Sequence, residues 1–268
     1  MLLGVCNQLF NNKAKISLWS RSFKRFSPDA VVLLAINATE RDLQSVADLP
    51  LKVISVNLPH EQSINHTRLK VAADYLDTIT DEHILYTDVF DVVFQDNPLL
   101  LDFSTYDIFV SGEGVTVNQE PWNADNISKL FPGDRAVCSD QEVINSGVIA
   151  GNRAPLSSLL KRMYAMCEGS TNKHDIQDQA ALIVMVAKKQ VDKLKIYNLN
   201  DSWAMHCAVA GPTQFFNVWG FFNIIKEKYC VPELYNGRIV NKQRSPYAIV
   251  HQFNRIPTWY KILRTSYD

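Results

Sequence analysis

The chain has 268 residues, enough for one large domain or two small ones around a substantial core. Its 27 Lys and Arg residues balance 28 Asp and Glu residues. This balance argues against a general nucleic-acid binder, because such proteins carry a basic surplus that meets phosphates.

Neither a membrane span nor a secretory leader is indicated by the sequence. The longest apolar stretches, such as residues 30–36, are far shorter than the roughly 20 residues that cross a bilayer. The first residues lack the basic and apolar pattern of a signal peptide. The five Cys residues are scattered without a Cys-x-x-Cys pair, which fits free thiols in a reducing compartment. We therefore expect a cytoplasmic protein.

The first half of the chain alternates strand and helix patterns. Residues 30–36 form a continuous apolar run, as expected for a parallel strand covered on both faces. The patterns predict strands at 2–6, 30–36, 51–58, 83–87 and 107–111, and helices at 13–26, 40–47 and 63–79, with Ser63 as the N-cap of the last. This alternation predicts an α/β, Rossmann-like fold with a mostly parallel central sheet and helices on both faces.

The second half is less regular. It predicts a strand at 144–150, helices at 154–167 and 178–188, and a late strand at 248–251. The aromatic and basic residues 256–264 suit either a packed terminal helix or peripheral contact with a membrane surface. We expect a single domain over 1–268, with a nucleotide-binding half at 1–115 and an acceptor half at 116–268. Ligands of such sheets bind beyond the carboxyl ends of the strands.

Two carboxylates, Asp88 and Asp91, follow the predicted strand at 83–87. An unpaired carboxylate at the end of an apolar strand is costly to bury. A hard cation such as Mg²⁺ or Mn²⁺ removes that cost, since it prefers oxygen ligands and bridges to phosphates. The residues alone also allow a simple turn whose two acids face water.

The segment from Thr87 to Gln95 reads Thr-Asp-Val-Phe-Asp-Val-Val-Phe-Gln. It resembles the donor-metal motif of the GT-A-fold glycosyltransferases, in the Asp-x-x-Asp form of one subgroup rather than the usual Asp-x-Asp. The resemblance implies a metal site that includes Asp88 and Asp91. In that family the last acid commonly binds the metal, and the first contacts the donor ribose or a metal-bound water.

Two later segments extend the resemblance. Asn145, Ser146 and Gly147 open a predicted strand, which on its pattern alone is interpreted as a bulged strand. Many retaining GT-A enzymes, however, line the donor-sugar pocket with a similar strand. Asp178 and Gln179 begin a predicted helix, where an acid is favoured by the helix dipole alone. The resemblance makes Asn145, Asp178 and Gln179 candidate catalytic residues, and Ser146 and Gly147 candidate donor contacts.

A histidine near the C-terminus completes the set. His251 ends the late strand, where a lone His is commonly a hydrogen-bonded structural residue. The resemblance implies that it is a third metal ligand and that Arg255 pairs with phosphate. By the same resemblance Cys6 and Asn7 contact the nucleobase and Arg68 reaches the donor. Weaker candidates for the sugar and acceptor sides are Glu113, Trp122, Trp203 and His206.

The order of these motifs predicts a glycosyltransferase that uses Mn²⁺ or Mg²⁺ to move a hexose. The expected donor is a nucleotide sugar, most simply a UDP-sugar, the acceptor is a glycan or glycolipid, and the expected stereochemistry is retention. Two alternatives stay open. One is a nucleotidyltransferase that makes nucleotide sugars, although the residues after the first strand lack its glycine-rich loop. The other is a non-catalytic nucleotide-sugar-binding protein on the same fold.

Overall fold

The computed structural model describes residues 1–59, 64–168, 177–207 and 232–266. The described strands are β1 (Leu2–Cys6), β2 (Val31–Ile36), β3 (Lys52–Val56), β4 (His83–Thr87), β5 (Val92–Phe94), β6 (Ile108–Thr116), β7 (Glu142–Ile144), β8 (Val148–Asn152), β9 (Leu194–Tyr197), β10 (Ala204–His206), β11 (Glu233–Tyr235), β12 (Arg238–Val240) and β13 (Ile249–His251). The described helices are α1 (Leu9–Phe26), α2 (Glu40–Ser45), α3 (Ile64–Leu76), α4 (Pro121–Leu130), α5 (Arg153–Cys167), α6 (Gln177–Ala187) and α7 (Pro257–Thr265).

The central sheet has the strand order β3-β2-β1-β4-β8-β6-β7. Strand β9 belongs to the same sheet and pairs with β6. Strands β1 to β4 pair in parallel, while β8 is antiparallel to both β4 and β6. The predicted α/β class with a mostly parallel sheet is therefore confirmed. The parallel half brings the ends of β1 and β4 to one edge of the sheet, where the candidate residues lie.

Each face of the sheet carries its own apolar layer. Along β1, Leu2 and Leu3 enter different layers because successive strand residues point to opposite faces. One layer packs against α3, α5 and α6, and the other packs against α1 and a small sheet of order β10-β13-β5. The prediction of helices on both faces is confirmed.

Most predicted elements match the structure within a few residues, but the prediction of one strand over 144–150 is wrong. The chain there forms β7 and β8, separated by Asn145, Ser146 and Gly147. The Asn145 side chain accepts a hydrogen bond from the Gly147 amide at 2.8 Å, which holds a turn between two apolar segments. Apolar residues on both sides concealed this interruption. Ser63, the predicted N-cap, lies outside the described residues.

Helix α7 packs as part of the fold, with Trp259 and Leu263 buried in the layer that contains α3. Within the described residues, no helix has the length and apolar character needed to cross a bilayer. Contact of α7 with a membrane surface stays a prediction.

Candidate metal and donor site

The two candidate acids lie in a turn that the sheet fixes on both sides. Strand β4 ends at Thr87, whose hydroxyl accepts a hydrogen bond from the Trp19 indole at 2.9 Å. The Asp88 amide then donates to the Gly147 carbonyl at 2.8 Å, which continues the pairing of β4 with β8. Strand β5 begins directly after Asp91. The turn therefore presents both carboxylates beyond the carboxyl end of β4.

His251 reaches this turn through strand pairing. It lies opposite Val92 in the antiparallel pair of β13 and β5, and the Gln252 amide donates to the Asp91 carbonyl at 2.7 Å. The buried Gln95 side chain fixes the segment before β13. Its amide nitrogen donates to the carbonyls of Ile239 and Tyr247 at 3.0 Å each, and its oxygen accepts from the Ile239 amide at 2.8 Å. These hydrogen bonds give a structural role to Gln95, the last residue of the motif from Thr87 to Gln95.

Asp88, Asp91 and His251, which we call the Asp–Asp–His cluster, each offer an atom within 4.8 Å of the others. The His251 Nε2 atom lies 3.3 Å from Asp88 Oδ2 and 3.6 Å from Asp91 Oδ1. His251 is 1% exposed, whereas both acids are 24% exposed. Within the described part of the chain, Nε2 has no partner in hydrogen-bonding geometry. The buried nitrogen thus lies within ion-pair distance of two carboxylates without hydrogen-bonding geometry to either.

The electrostatics of the cluster follow from this proximity. Burial alone would raise the pKa of Asp88, but the Arg68 guanidinium and His251 outweigh it and hold that pKa well below its usual range. Burial would lower the pKa of His251, but Asp91 and Asp88 outweigh it and raise it to about 9. The carboxylates that favour a proton on His251 would equally favour a cation in its place.

The glycine at 147 makes room for the cluster. A Cβ atom added there would lie 2.4 Å from His251 Cε1 and 2.7 Å from Asp88 Oδ2. Both distances are below any ordinary contact, so a larger residue would displace the imidazole or the carboxylate. The sequence resemblance pointed to Gly147 as a donor contact, and the structure adds this steric reason for glycine at the position.

Arg68, on α3, joins the cluster to a second group of residues. Its two terminal nitrogens contact separate acids, Asp88 and Asp178. The Asp178 carboxylate is fully buried at the start of α6. Burial opposes the charge on Arg68, but the two acids outweigh it and raise the pKa of the guanidinium. The arginine is thus charged, and it neutralises a carboxylate that has no access to water.

The other two candidate catalytic amides are held by buried side chains. Asn145 donates to Glu113 Oε1 at 2.7 Å while its oxygen accepts from Gly147. The Gln179 amide donates to Asn123 Oδ1 at 2.9 Å. We call Asn145, Asp178 and Gln179, together with their partners Glu113, Arg68 and Asn123, the Asp178 wall. Burial raises the pKa of Glu113 to about 7, against the opposing hydrogen bond from Asn145.

Asn123 is fixed in turn by an acid at the start of α4. Its backbone amide and its side-chain amide both donate to Glu120 Oε2, at 2.6 Å and 2.7 Å. Neither Glu120 nor Asn123 was found by sequence reasoning, because α4 itself was not predicted. The signal that could have found them is Glu120-Pro121, an N-cap acid followed by proline at the first helical position.

A cavity of about 350 Å³ opens beside the cluster. Its lining includes Arg68, Asp88 and Asp91, and also Cys6 and Asn7 at the end of β1. Burial raises the pKa of the Cys6 thiol to about 12, so this residue contributes a neutral wall. A neighbouring cavity of about 340 Å³ shares Asn7 and extends towards Asn37 and Asp42. Cys6 and Asn7, the predicted nucleobase residues, therefore line the same cavity as Asp88 and Asp91, two of the three predicted metal ligands.

The remaining candidates lie at different places. Arg255 belongs to a short 3-10 helix after His251 and is half-buried. Trp203 is buried and donates to the Pro98 carbonyl at 3.0 Å, which indicates packing rather than a sugar contact. His206 is buried behind His251, and Trp122 is half-buried on α4. Sequence reasoning missed Lys15 of α1, which lines the 350 Å³ cavity. Its Nζ atom lies 5.5 Å from the centre of the Phe90 ring, which lines the same cavity.

The cluster fits a divalent cation by the chemistry of its donors. Two carboxylates and one imidazole are groups that bind divalent cations in proteins, and their ligand atoms lie within 4.8 Å of one another. The unpartnered buried Nε2 of His251 supports this fit, since a buried polar atom without a hydrogen bond is unfavourable unless a ligand occupies it.

Comparison with known proteins gives the fold an independent match. The structure of the galactosyltransferase LgtC in complex with donor and acceptor sugar analogues aligns with 99% of this chain and 95% of LgtC, at a TM-score of 0.59 and 17% sequence identity. An active-site mutant of LgtC aligns with 93% of this chain and 86% of its own, at a TM-score of 0.55 and 17% identity. No protein-family model and no curated sequence matches. At this identity the likeness establishes the fold, which is that of GT-A glycosyltransferases.

Proposed function

We propose that the protein is a metal-dependent glycosyltransferase that moves a hexose from a nucleotide sugar to a glycan or glycolipid acceptor, with retention of configuration. The observation that carries the proposal is the convergence of Asp88, Asp91 and His251 beside a 350 Å³ cavity at the carboxyl end of the parallel strands. The likeness in fold to a galactosyltransferase supports the same reading.

In this proposal the Asp–Asp–His cluster holds Mn²⁺ or Mg²⁺ with the donor diphosphate. The cation would offset the negative charge that grows on the nucleoside diphosphate as the sugar–oxygen bond breaks. Asp91 and His251 serve as ligands, and Asp88 serves as a ligand or as the ribose contact. Lys15, which lines the cavity, and Arg255 add positive charge near the phosphates in this proposal.

The donor base and ribose occupy the region lined by Cys6 and Asn7, and UDP is the expected nucleotide. The half at 1–115 thus holds most of the donor, and the half at 116–268 supplies His251 and the acceptor side. Ser146 and Gly147 approach the donor through their backbone, because the turn after β7 lies against the cluster.

The Asp178 wall faces the sugar in this proposal. The Asp178 carboxylate is paired with Arg68 and withdrawn from water, so it suits stabilisation of positive charge on the sugar better than proton transfer to solvent. Gln179 and Asn145 orient the sugar or the acceptor hydroxyl. This arrangement favours retention over the inverting route, which needs an exposed general base.

The first test is the replacement Asp91→Ala in a donor-hydrolysis assay with UDP-hexoses and Mn²⁺. Loss of one charged donor is expected to lower turnover by about 10²–10³-fold, and EDTA should abolish turnover of the unmodified protein. Asp96→Ala, an exposed acid beyond β5, is the matched control and should leave turnover unchanged. Full, EDTA-insensitive turnover in Asp91→Ala would overturn the metal-dependent mechanism.

A ligand-stability series separates the alternatives. UDP with Mn²⁺ should raise the melting temperature more than GDP or CDP, because a ligand stabilises the state it binds by mass action. Formation of UDP-hexose from UTP and a sugar phosphate would instead identify a nucleotidyltransferase. Strong nucleotide-sugar binding without turnover on any glycan or glycolipid would identify a non-catalytic binding protein.

A further inference from the structure

Behind His251 of the Asp–Asp–His cluster lie two buried side chains, His206 and Ser111, that no proposed step uses. His206 Nδ1 is 2.9 Å from His251 Nδ1, and His206 Nε2 is 2.5 Å from the Ser111 hydroxyl. The two imidazole planes are nearly perpendicular, at 87°. All three residues are buried, so water does not compete for these hydrogen bonds.

Strand pairing explains why the two histidines meet. Strands β10 and β13 are parallel neighbours, and His206 lies in register with His251. The Cys207 amide donates to the His251 carbonyl at 3.0 Å, which fixes the backbone of both residues at this point. The contact is therefore built into the small sheet and does not depend on a flexible side chain.

Only one hydrogen atom can lie between the two Nδ1 atoms. The nitrogen that carries it determines whether Nε2 of a neutral His251 offers a lone pair or an N–H group to Asp88 and Asp91. If the proton is on His251, its Nε2 can present a lone pair to a cation. His206 Nδ1 then accepts, and His206 Nε2 donates to Ser111. If the proton is on His206, a neutral His251 carries its own proton on Nε2 and cannot be a ligand.

We propose that His206 is a positioning residue that keeps a proton on Nδ1 of His251, so that the Nε2 lone pair faces Asp88 and Asp91 as a metal ligand. The inference rests on the proposed function, since it assumes that the cluster binds a cation. It extends that function to a residue outside the cluster, with Ser111 as the acceptor at the far end. Partners of this kind orient metal-bound imidazoles, and their loss typically weakens metal affinity by about 10–100-fold.

The structure offers a matched set of variants. His206→Phe fills the space but removes the acceptor for Nδ1 of His251. His206→Asn can place an amide oxygen near the position of the lost Nδ1 atom and so retains an acceptor. Ser111→Ala removes the far acceptor. His83→Phe is the control, because His83 is exposed, stacks on Phe103 and lies at the opposite end of β4.

Mn²⁺ affinity is measured by calorimetry, with circular dichroism as the check on folding. His206→Phe should weaken Mn²⁺ binding by about 10–100-fold, and Ser111→Ala should weaken it less. His206→Asn should recover most of the affinity, and His83→Phe should match the unmodified protein. Wild-type Mn²⁺ affinity in a folded His206→Phe variant would overturn the positioning inference while leaving the proposed function intact.

A second measurement needs no variant. Nitrogen-15 NMR of histidine-labelled protein with diamagnetic Zn²⁺ should show His251 protonated at Nδ1 and His206 protonated at Nε2. The opposite pattern would overturn the inference even if His206→Phe does not fold. If the unmodified protein binds neither Mn²⁺ nor Zn²⁺ in the cluster, the proposed function itself fails, and this result is distinct from the other two.

Discussion

The Asp–Asp–His cluster and the Asp178 wall both bury ionisable groups, and Arg68 contacts an acid of each, yet their hydrogen bonding differs. In the cluster, His251 Nε2 faces two carboxylates without a hydrogen-bonding partner among the described residues. In the wall, the buried Asp178 carboxylate contacts Arg68, and the amides of Asn145 and Gln179 each donate to a buried oxygen. The cluster leaves a buried nitrogen for an added ligand, whereas the acid and the two amides of the wall already have protein partners.

Because of this difference, substitutions in the Asp178 wall and in the Asp–Asp–His cluster should have different effects. Changes in the wall leave buried groups unpaired in the protein itself, so they should lower the free energy of unfolding. Changes in the cluster remove contacts to a bound cation, so they should mainly lower metal affinity.

The largest stability effect is expected from Arg68→Met. It leaves the fully buried Asp178 carboxylate without its counter-charge, and loss of one partner of a buried pair typically costs about 3–5 kcal/mol. Urea unfolding measures the change. Lys161→Met removes the half-exposed ion pair with Asp77 and should lower the free energy of unfolding far less, because water screens such a pair. If both variants lose the same small amount, Asp178 is not held as a buried ion, and the contrast fails.

A pH-dependent effect is expected from Glu113→Gln. The pKa of Glu113 is about 7 in the folded protein against an ordinary value of 4.5, so the folded state binds more protons between these pH values. Its contribution to stability is therefore present below pH 4.5 and is lost as the pH rises through 7, by about 3 kcal/mol.

Glutamine can still accept the hydrogen bond from Asn145 but does not titrate. The difference in unfolding free energy between the unmodified protein and Glu113→Gln should thus shift in favour of the variant from pH 4.5 to pH 8. Glu82→Gln, at an exposed position, provides the comparison and should show no such shift. A pH-independent difference for Glu113→Gln would mean that the Glu113 carboxyl is ionised throughout this range.

The smallest of these effects is expected from Gly147→Ala, and it should appear in binding. The new methyl group would meet the His251 ring at 2.4 Å, so the imidazole must move away from the carboxylates. A displacement of this kind should weaken Mn²⁺ affinity by about 10–100-fold. Gly133→Ala adds a methyl group that meets nothing within 4 Å, and its calorimetric titration should match that of the unmodified protein. Unchanged affinity in Gly147→Ala would separate the glycine from the cluster.

The parallel half of the sheet was predictable because its strands are continuous apolar runs between helices with clear periodicity. Strand β2 and helix α5, for example, lie within a residue of the predicted bounds. The acidic pair was also predictable, since Asp88 and Asp91 follow an apolar strand. These features are local in sequence, and local patterning is what a single chain displays.

The rest depends on contacts between distant residues. Strand β5 has three residues and forms its ladder with β13, so neither periodicity nor length could indicate it. Glu113 was considered only as an acceptor-side residue and Asn123 not at all, because their contacts with Asn145 and Gln179 join residues distant in sequence. His206 was considered only as a sugar contact, and its proximity to His251 follows from the pairing of β10 with β13.

The pairing of β13 with β5 has a consequence for how the protein tolerates change. Side chains alternate between the two faces of a strand, so a slip of one residue would replace His251 by Val250 or Gln252 opposite Val92. Gln95 opposes such a slip because its side chain joins both Ile239 and Tyr247. Insertions or deletions between Asn241 and Pro246 should therefore change only the length of that loop, while the spacing from Tyr247 to His251 stays fixed.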